Sequence, residues 1–451
     1  MKLWDQHGRT DDMISRFTVG DDPGFDCELA EYDVIGSIAH AQMLSEVGLL
    51  SENDWRAVDA GLRRILTDIR EGRFEIEDGV EDVHSQVELL LTADVGDAGK
   101  RIHTARSRND QVLLDLKLYF RDAIRAIADG SASFARALLD RSDRHAEVPL
   151  PGYTHGQAAM PSSFGQWFAA HAESLAEDLL PLHGAYRMAD RNPLGSAAGF
   201  GTSFPIDRDR TTDLLGFESL HVNAVNAQMS RGKTERVVAQ AFAAVAASIG
   251  RFAADVCMYV SGNYGFLRMR EEITTGSSIM PHKKNPDVFE LLRAHCNRLQ
   301  ALPGDITLMT ANLPSGYHRD FQLLKELLVP AVKRLQACLE IAIQALEYLE
   351  VNERIFEDGA YDVVFSVDAI RQRVDTGMPF RDAYRDVAAA LREGRFTPPS
   401  GMRATHLGSP GNLGNDRIRA WLEAEFRRFD FSRRDAAFAA LLDSSGGSAI
   451  S

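Results

Sequence analysis

A chain of 451 residues, 45% hydrophobic and 25% charged, has material for a packed core and for more than one domain. Its net charge of −15 argues against a nucleic-acid partner or an anionic membrane surface, both of which call for a basic face. Small anions are not excluded, because one local cationic pocket suffices. Four scattered cysteines (Cys27, Cys257, Cys296, Cys338) hold no Cys-x-x-Cys pair and read as buried thiols of a reducing cytoplasm. The start M-K-L-W-D-Q-H-G-R has no apolar signal core. The longest apolar stretch, residues 237–260, is mostly alanine and contains Gln240, Arg251 and Asp255, so no membrane span is expected.

Residues 1–106 mix short helices and loops and form the first expected domain. Residues 25–50 have helical spacing, with Ile35, Ala39, Met43 and Leu44 on one face. Residues 56–70 and 81–91 are two further helices. In the second of these His84 and Glu88 lie four apart, which by itself reads as a polar pair on a helix surface. The string I-H-T-A-R-S-R-N-D-Q-V then places Ser107, Arg108, Asn109, Asp110 and Gln111 at the entry of a helix running to about residue 145. One Ser or Asp is enough to cap a helix, so the neighbouring Arg and Asn suggest an edge that reads a substrate. A Pro/Gly loop over 149–161 carries Thr154, His155 and Gln157, and the histidine is an acid–base candidate. A helix follows to about residue 191. The Gly-rich connector 191–207 has no G-K-[ST] and no preceding strand, so it is not a phosphate loop.

Residues 228–261 read as one long helix rich in small residues, which permit close helix–helix approach. Between it and the next helix lies T-T-G-S-S-I-M-P-H-K-K-N-P-D, residues 274–287. Here Gly276, Ser277 and Ser278 give backbone freedom and hydroxyls, while Lys283 and Lys284 bring cations. Asn285 as N-cap and Pro286 at the first helical position signal a helix start. Such a hydroxyl loop feeding a helix N-terminus suits a bound carboxylate, although alone it equally fits an ordinary loop. A last long helix is expected over 320–349, with an apolar stripe from Phe321 to Leu346 and Pro330 inside it. Residues 107–355 thus form a second domain, a bundle of about five long helices. Residues 356–451 form a third, of smaller helices, ending in a loose tail. No strand-rich region is expected.

No metal motif and no nucleotide motif is present. The remaining repertoire of hydroxyl, imidazole, lysine and amide can remove a proton beside a carboxylate, hold the resulting charge and protonate a leaving group. That is β-elimination from a carboxylate substrate, without a cofactor.

The string G-S-S-I-M-P-H-K-K-N-P resembles the signature of the fumarase/aspartase superfamily. S-R-N-D-Q at 107–111, G-Y-T-H-x-Q at 152–157 and K-K-N-P-D at 283–287 resemble one of its families, the argininosuccinate lyases, to which the lens delta-crystallins are related. K-L-W at the start, P-L-G-S-A at 193–197, L-P-S-x-Y at 313–317 and G-M-P-F-R at 377–381 extend the likeness to about residue 382. The resemblance implies an all-α, three-domain fold around a central long-helix bundle. It also implies a cytoplasmic homotetramer of arginine biosynthesis that splits argininosuccinate into arginine and fumarate, each site drawing on three chains. Ser277 then resembles the general base, its alkoxide stabilised by Lys283 and nearby N–H groups. Lys283 and Asn285 would hold the carbanion's carboxylate. His155, paired with Glu290 and adjacent to Thr154, would protonate the leaving nitrogen. Ser107, Arg108, Asn109, Gln157, Tyr317, Gln322 and Lys325 would contact substrate, and His84 falls on a histidine of the family's N-terminal H-x-x-x-E pattern. Three stretches depart from the family. The usual substrate-binding Ser is missing from 17–26, the middle acidic stretch reads M-S-R-G-K-T-E-R at 229–236, and Leu323-Leu324 replace an acidic pair. An adenylosuccinate-type lyase would require a phosphate-reading basic cluster that is not found. A silent, crystallin-like oligomer would be marked by losses in S-R-N-D-Q or in the N-terminal segment, and only the latter is altered.

Overall fold

The computed structural model describes residues 12–357, 359–400 and 404–443. The K-L-W match and the tail from residue 444 lie outside them. Two short helices, α1 (Asp12–Val19) and α2 (Asp22–Asp26), precede α3 (Ala30–Glu46), α4 (Glu52–Arg70), α5 (Val83–Val95) and the single turn α6 (Asp97–Lys100). The rod α7 (Arg108–Arg144) leads through strands β1 (Pro149–Thr154) and β2 (Gln157–Ser163) into α8 (Phe164–Ala189). After β3 (Arg191–Asn192), α9 (Arg208–Leu214), β4 (Ser219–Leu220) and α10 (Ala224–Met229) comes α11 (Lys233–Tyr259). Strand β5 (Leu267–Met269), α12 (Asp287–Met309), α13 (Leu324–Leu346) and β6 (Leu349–Val351) complete the bundle, and α14 (Ser366–Asp375), α15 (Phe380–Arg392), α16 (Asn415–Phe426) and α17 (Ser432–Leu442) follow.

The expected all-α class holds. Rods α7, α8, α11, α12 and α13 share one core in which Phe134, Phe168, Phe242, Phe252 and Phe289 are buried. Close approach depends on small residues, as expected. A Cβ on Gly250 of α11 would stand 3.2 Å from the Cys296 side chain of α12. The segment Ala224–Tyr259, α10 together with α11, is long and apolar enough to cross a membrane by length and composition, but Val238, Val245, Ile249 and Val256 are buried in this core. A second core joins α3, α4 and α5 and takes in Leu114 and Leu118 of α7 and Phe438 of α17. Helices α14 and α15 keep a small cluster of their own, whereas α16 lies on the bundle through Ile418 and Leu422.

Several expectations need correction. The segment read as a Pro/Gly loop is the antiparallel hairpin β1–β2, one of three small two-stranded sheets among the described residues, none of which makes a strand-rich region. The helix expected over 228–261 breaks between α10 and α11. Gly232 sits there at φ +74°, where a side chain would also meet Thr310 at 2.8 Å. Helix α12 takes Pro286, not Asn285, as its N-cap, because Asn285 is held in a bridge to Thr275. The final rod opens with a 3₁₀ turn, Arg319–Leu323, and ends at Leu346. Helix α3 is buried around most of its circumference rather than on one face. Cys27 is exposed and Cys257 half-buried, so only Cys296 and Cys338 fit the buried reading.

Candidate active site

The S-R-N-D-Q stretch both caps and reads. Ser107 Oγ accepts the Asn109 N–H at 3.3 Å, and Asp110 closes a capping box at the start of α7. The Asp110 carboxylate does more. One oxygen takes the Ser107 N–H at 2.9 Å, while the other takes the N–H groups of Gly195 and Ala197 at 3.0 and 2.8 Å. Asp110 therefore ties the helix start to the P-L-G-S-A connector, joining two of the recognised motifs. Arg108 and Asn109, in the same first turn, line a cavity of about 450 Å³.

Seven predicted residues meet in this cavity: Ser107, Arg108, Asn109, His84, Tyr317, Gln322 and Lys325. Arg108 reaches Asp82 at 2.9 Å and Ser85 Oγ at 2.7 Å. Gln322 donates to the carbonyls of Thr18 and Val19 at 3.1 and 3.2 Å, fastening the N-terminal segment across one wall. Arg319 donates to the Thr18 carbonyl at 3.0 Å and pairs with Glu81 at 3.1 Å. Lys325 is buried between Asp22, at 2.8 Å, and Asp26. Burial raises the Asp22 pKa to about 6 against the pull of Lys325, and the charge of Asp26 adds to the rise.

His84 is not the surface residue that its spacing to Glu88 suggests. It is buried, and its Nδ1 lies 2.8 Å from Asp33 of α3 and 3.7 Å from Asp115 of α7. Burial alone would lower its pKa. The charge and hydrogen bond of Asp33, with Asp115 and Asp82 behind it, outweigh burial and lift the pKa to about 9. At neutral pH the ring is an imidazolium paired with Asp33, with Asp115 close behind it. These three residues also have the spacing of a cation site, but the imidazolium already supplies the positive charge. Glu88 instead lies 3.7 Å from His103.

The other predicted residues lie elsewhere. Thr154, His155 and Gln157 are exposed at the tip of the hairpin, where Thr154 pairs with Gln157 around a two-residue turn. His155 and Gly156 occupy that turn at φ 52° and 72°, the left-handed pair that suits the twist of a hairpin. The hairpin rests on aromatic packing, with Tyr153 at 5.4 Å from Tyr264 and 6.2 Å from Phe266. The Ser277 loop is closed at its neck by the Thr275–Asn285 bridge, and the Asn285 amide donates to the Gly276 carbonyl at 3.3 Å. Within it the N–H groups of Ile279 and Met280 both donate to Ser277 Oγ, at 3.3 and 3.1 Å. Lys283 and Glu290 are exposed. Among the described residues no hydrogen bond or ion pair joins His155 to Glu290 within the chain.

The rods set the separations. At 1.5 Å per residue, the 37 residues of α7 span about 55 Å between Arg108 and the base of the hairpin. Strands of six and seven residues, about 20 Å long, cannot recover that distance. Likewise the 23 residues of α12, about 34 Å, separate the Ser277 loop from the segment bearing Tyr317 and Gln322. One chain holds a binding cavity at one end of the bundle and two chemically equipped elements away from it.

Sequence reasoning missed Asp22, Asp26, Glu81, Arg319 and the Asp33–Asp115 pair around His84. A signal existed for the last two, since Asp33 stands between Tyr32 and Val34 and Asp115 between Leu114 and Leu116 on buried helices, where only a paired charge is stable.

A family model described as lyase matches residues 6–301. An EDDS lyase structure superposes with a TM-score of 0.77 at 20% identity, covering 97% of this chain and 94% of its own. Fold and family model together define a lyase of the fumarase/aspartase superfamily. Two curated relatives named argininosuccinate lyase narrow this further. That of Parabacteroides distasonis is 51% identical over 97% of this chain and 98% of its own length, and that of Phocaeicola vulgatus is 50% identical over 98% and 99%. The chain belongs to the argininosuccinate lyase family.

Proposed function

We propose that this protein eliminates arginine from argininosuccinate to leave fumarate, as a cytoplasmic homotetramer and in the last step of arginine biosynthesis. The observation that carries the chemistry is the pair of backbone N–H groups on Ser277 Oγ. A serine hydroxyl is a poor base, and donors already aimed at its oxygen lower the cost of the alkoxide. Ser277 takes a proton from the succinyl carbon. Lys283 and Asn285 hold the charge that develops on the adjacent carboxylate. The C–N bond then breaks, the electron pair of the carbanion becomes the C=C bond of fumarate, and His155 gives a proton to the departing guanidino nitrogen. Glu290 orients that histidine and Thr154 and Gln157 flank it. The cavity residues Ser107, Arg108, Asn109, His84, Tyr317, Gln322 and Lys325 receive the substrate.

The lengths of α7 and α12 support a shared site, with the cavity of one chain meeting the hairpin and the Ser277 loop of others. The division into domains at residues 106 and 355 belongs to the same reading. The test is the rise in fumarate absorbance on adding argininosuccinate to the purified protein. Ser277→Ala should lower kcat by about 10²–10⁴. Assembled wild-type protein that releases no fumarate would refute the assignment.

A further inference from the structure

The cavity is proposed to take a substrate with three carboxylates, yet it presents carboxylates of its own. Most of these are neutralised by the protein. Asp82 and Glu81 pair with Arg108 and Arg319. Asp26 gives one oxygen to Lys325 and the other to the Val83 N–H at 3.3 Å. Asp22 differs. It shares Lys325 with Asp26, so two carboxylates compete for one ammonium. Its Oδ2 takes Lys325 at 2.8 Å, and among the described residues its Oδ1 has no hydrogen-bond partner. It lines the cavity, with a side chain 12% exposed against 2% for Asp26. Asp22 also stands in the N-terminal stretch that lacks the family's usual serine.

We propose that Asp22 is a specificity-determining residue that receives the α-ammonium group of the arginine end of the substrate. This rests on the function proposed above. A carboxylate short of positive charge, on the wall of a site for a polyanion, repels that polyanion unless it meets a cation. The substrate offers two, the guanidinium at the reacting end and the α-ammonium at the far end. The reacting end is assigned to His155 and Ser277, so the ammonium is the one left for the cavity. Lys325 and Arg319 beside Asp22 then suit the α-carboxylate two bonds away. The same arrangement ties binding to pH. The charged groups around Asp22 are Asp26, Lys325 and Arg319. Of the cavity histidines, His84 is raised to about 9 and His103 lowered to about 4, chiefly by burial, so neither titrates near 6.

The experiment compares L-arginine with 5-guanidinopentanoate, the same molecule without its ammonium, by calorimetry on the assembled protein. Wild type should bind arginine at least about tenfold more tightly, the worth of one charge-assisted hydrogen bond. That preference should shrink as pH falls below about 6. Asp22→Asn should bring the two affinities within about twofold, while Asp22→Glu keeps the order. A wild type without preference, or an Asp22→Asn variant that retains it, would overturn the proposal. Should Asp22→Asn fail to assemble on gel filtration, the wild-type preference and its pH dependence still decide. Because binding is read without turnover, failure here is distinct from failure to make fumarate.

Discussion

Replacing His84 with Asn tests the buried charge cluster most directly. The rise of the His84 pKa from 6.5 to about 9 corresponds to about 3 kcal/mol at 1.36 kcal/mol per pH unit. Part of this is offset by Asp115. Burial first, then the charge of Asp33, raises its pKa well above the usual carboxylate range, so ionising it opposes folding. A net loss of about 2–3 kcal/mol is expected at pH 7, or roughly 3 °C in melting temperature for a chain of this length. The sign of the pH dependence follows from the direction of the shift. A folded pKa above the unfolded one gives a contribution that is complete below about 6.5 and is lost as pH rises through about 9. In the variant, Asp33 and Asp115 lack their cation, and acid relieves them by protonation. The gap between wild type and variant should therefore peak near neutrality and close toward pH 10. Melting followed by circular dichroism at pH 5, 7 and 10 measures it. A gap equal at pH 7 and 10, or no gap at pH 7, would refute the buried imidazolium.

Two further outcomes follow from the geometry. Arg231 is buried against Glu235 at 3.0 Å, so Arg231→Met should cost about 3–5 kcal/mol by stranding the carboxylate, and adding Glu235→Leu should restore much of it; urea unfolding of both variants checks this. Asn109→Ala and His155→Asn alter the start of α7 and the hairpin beyond its far end, α7 itself being about 55 Å long, so the two inactive variants, denatured and refolded together, should regain activity above either alone. No recovery in mixed oligomers would rule out the shared site.

The long helices were legible because their periodicity extends over many turns, and Ser107 with Asp110 marked a start that the structure confirms. The hairpin was not legible. Its strands carry three prolines and no clean alternation, and its turn relies on a histidine in a left-handed conformation that composition does not announce. The break before α11 rests on one glycine, a residue that long helices also tolerate. The nature of His84 was hidden for another reason. Its partners lie 51 and 31 residues away, on α3 and α7, and only tertiary packing brings them together. The motifs named the site residues but not their distribution between the cavity and distant elements, which is set by rod length.

That rod length has a consequence for how activity arises. On the proposed assembly a newly made chain carries every catalytic group yet owns no working site, since its hairpin and its cavity face different neighbours. Catalysis becomes a property of the population of chains. Specific activity should fall on dilution as subunits part, and a damaged hairpin should disable a site whose cavity belongs to an intact chain.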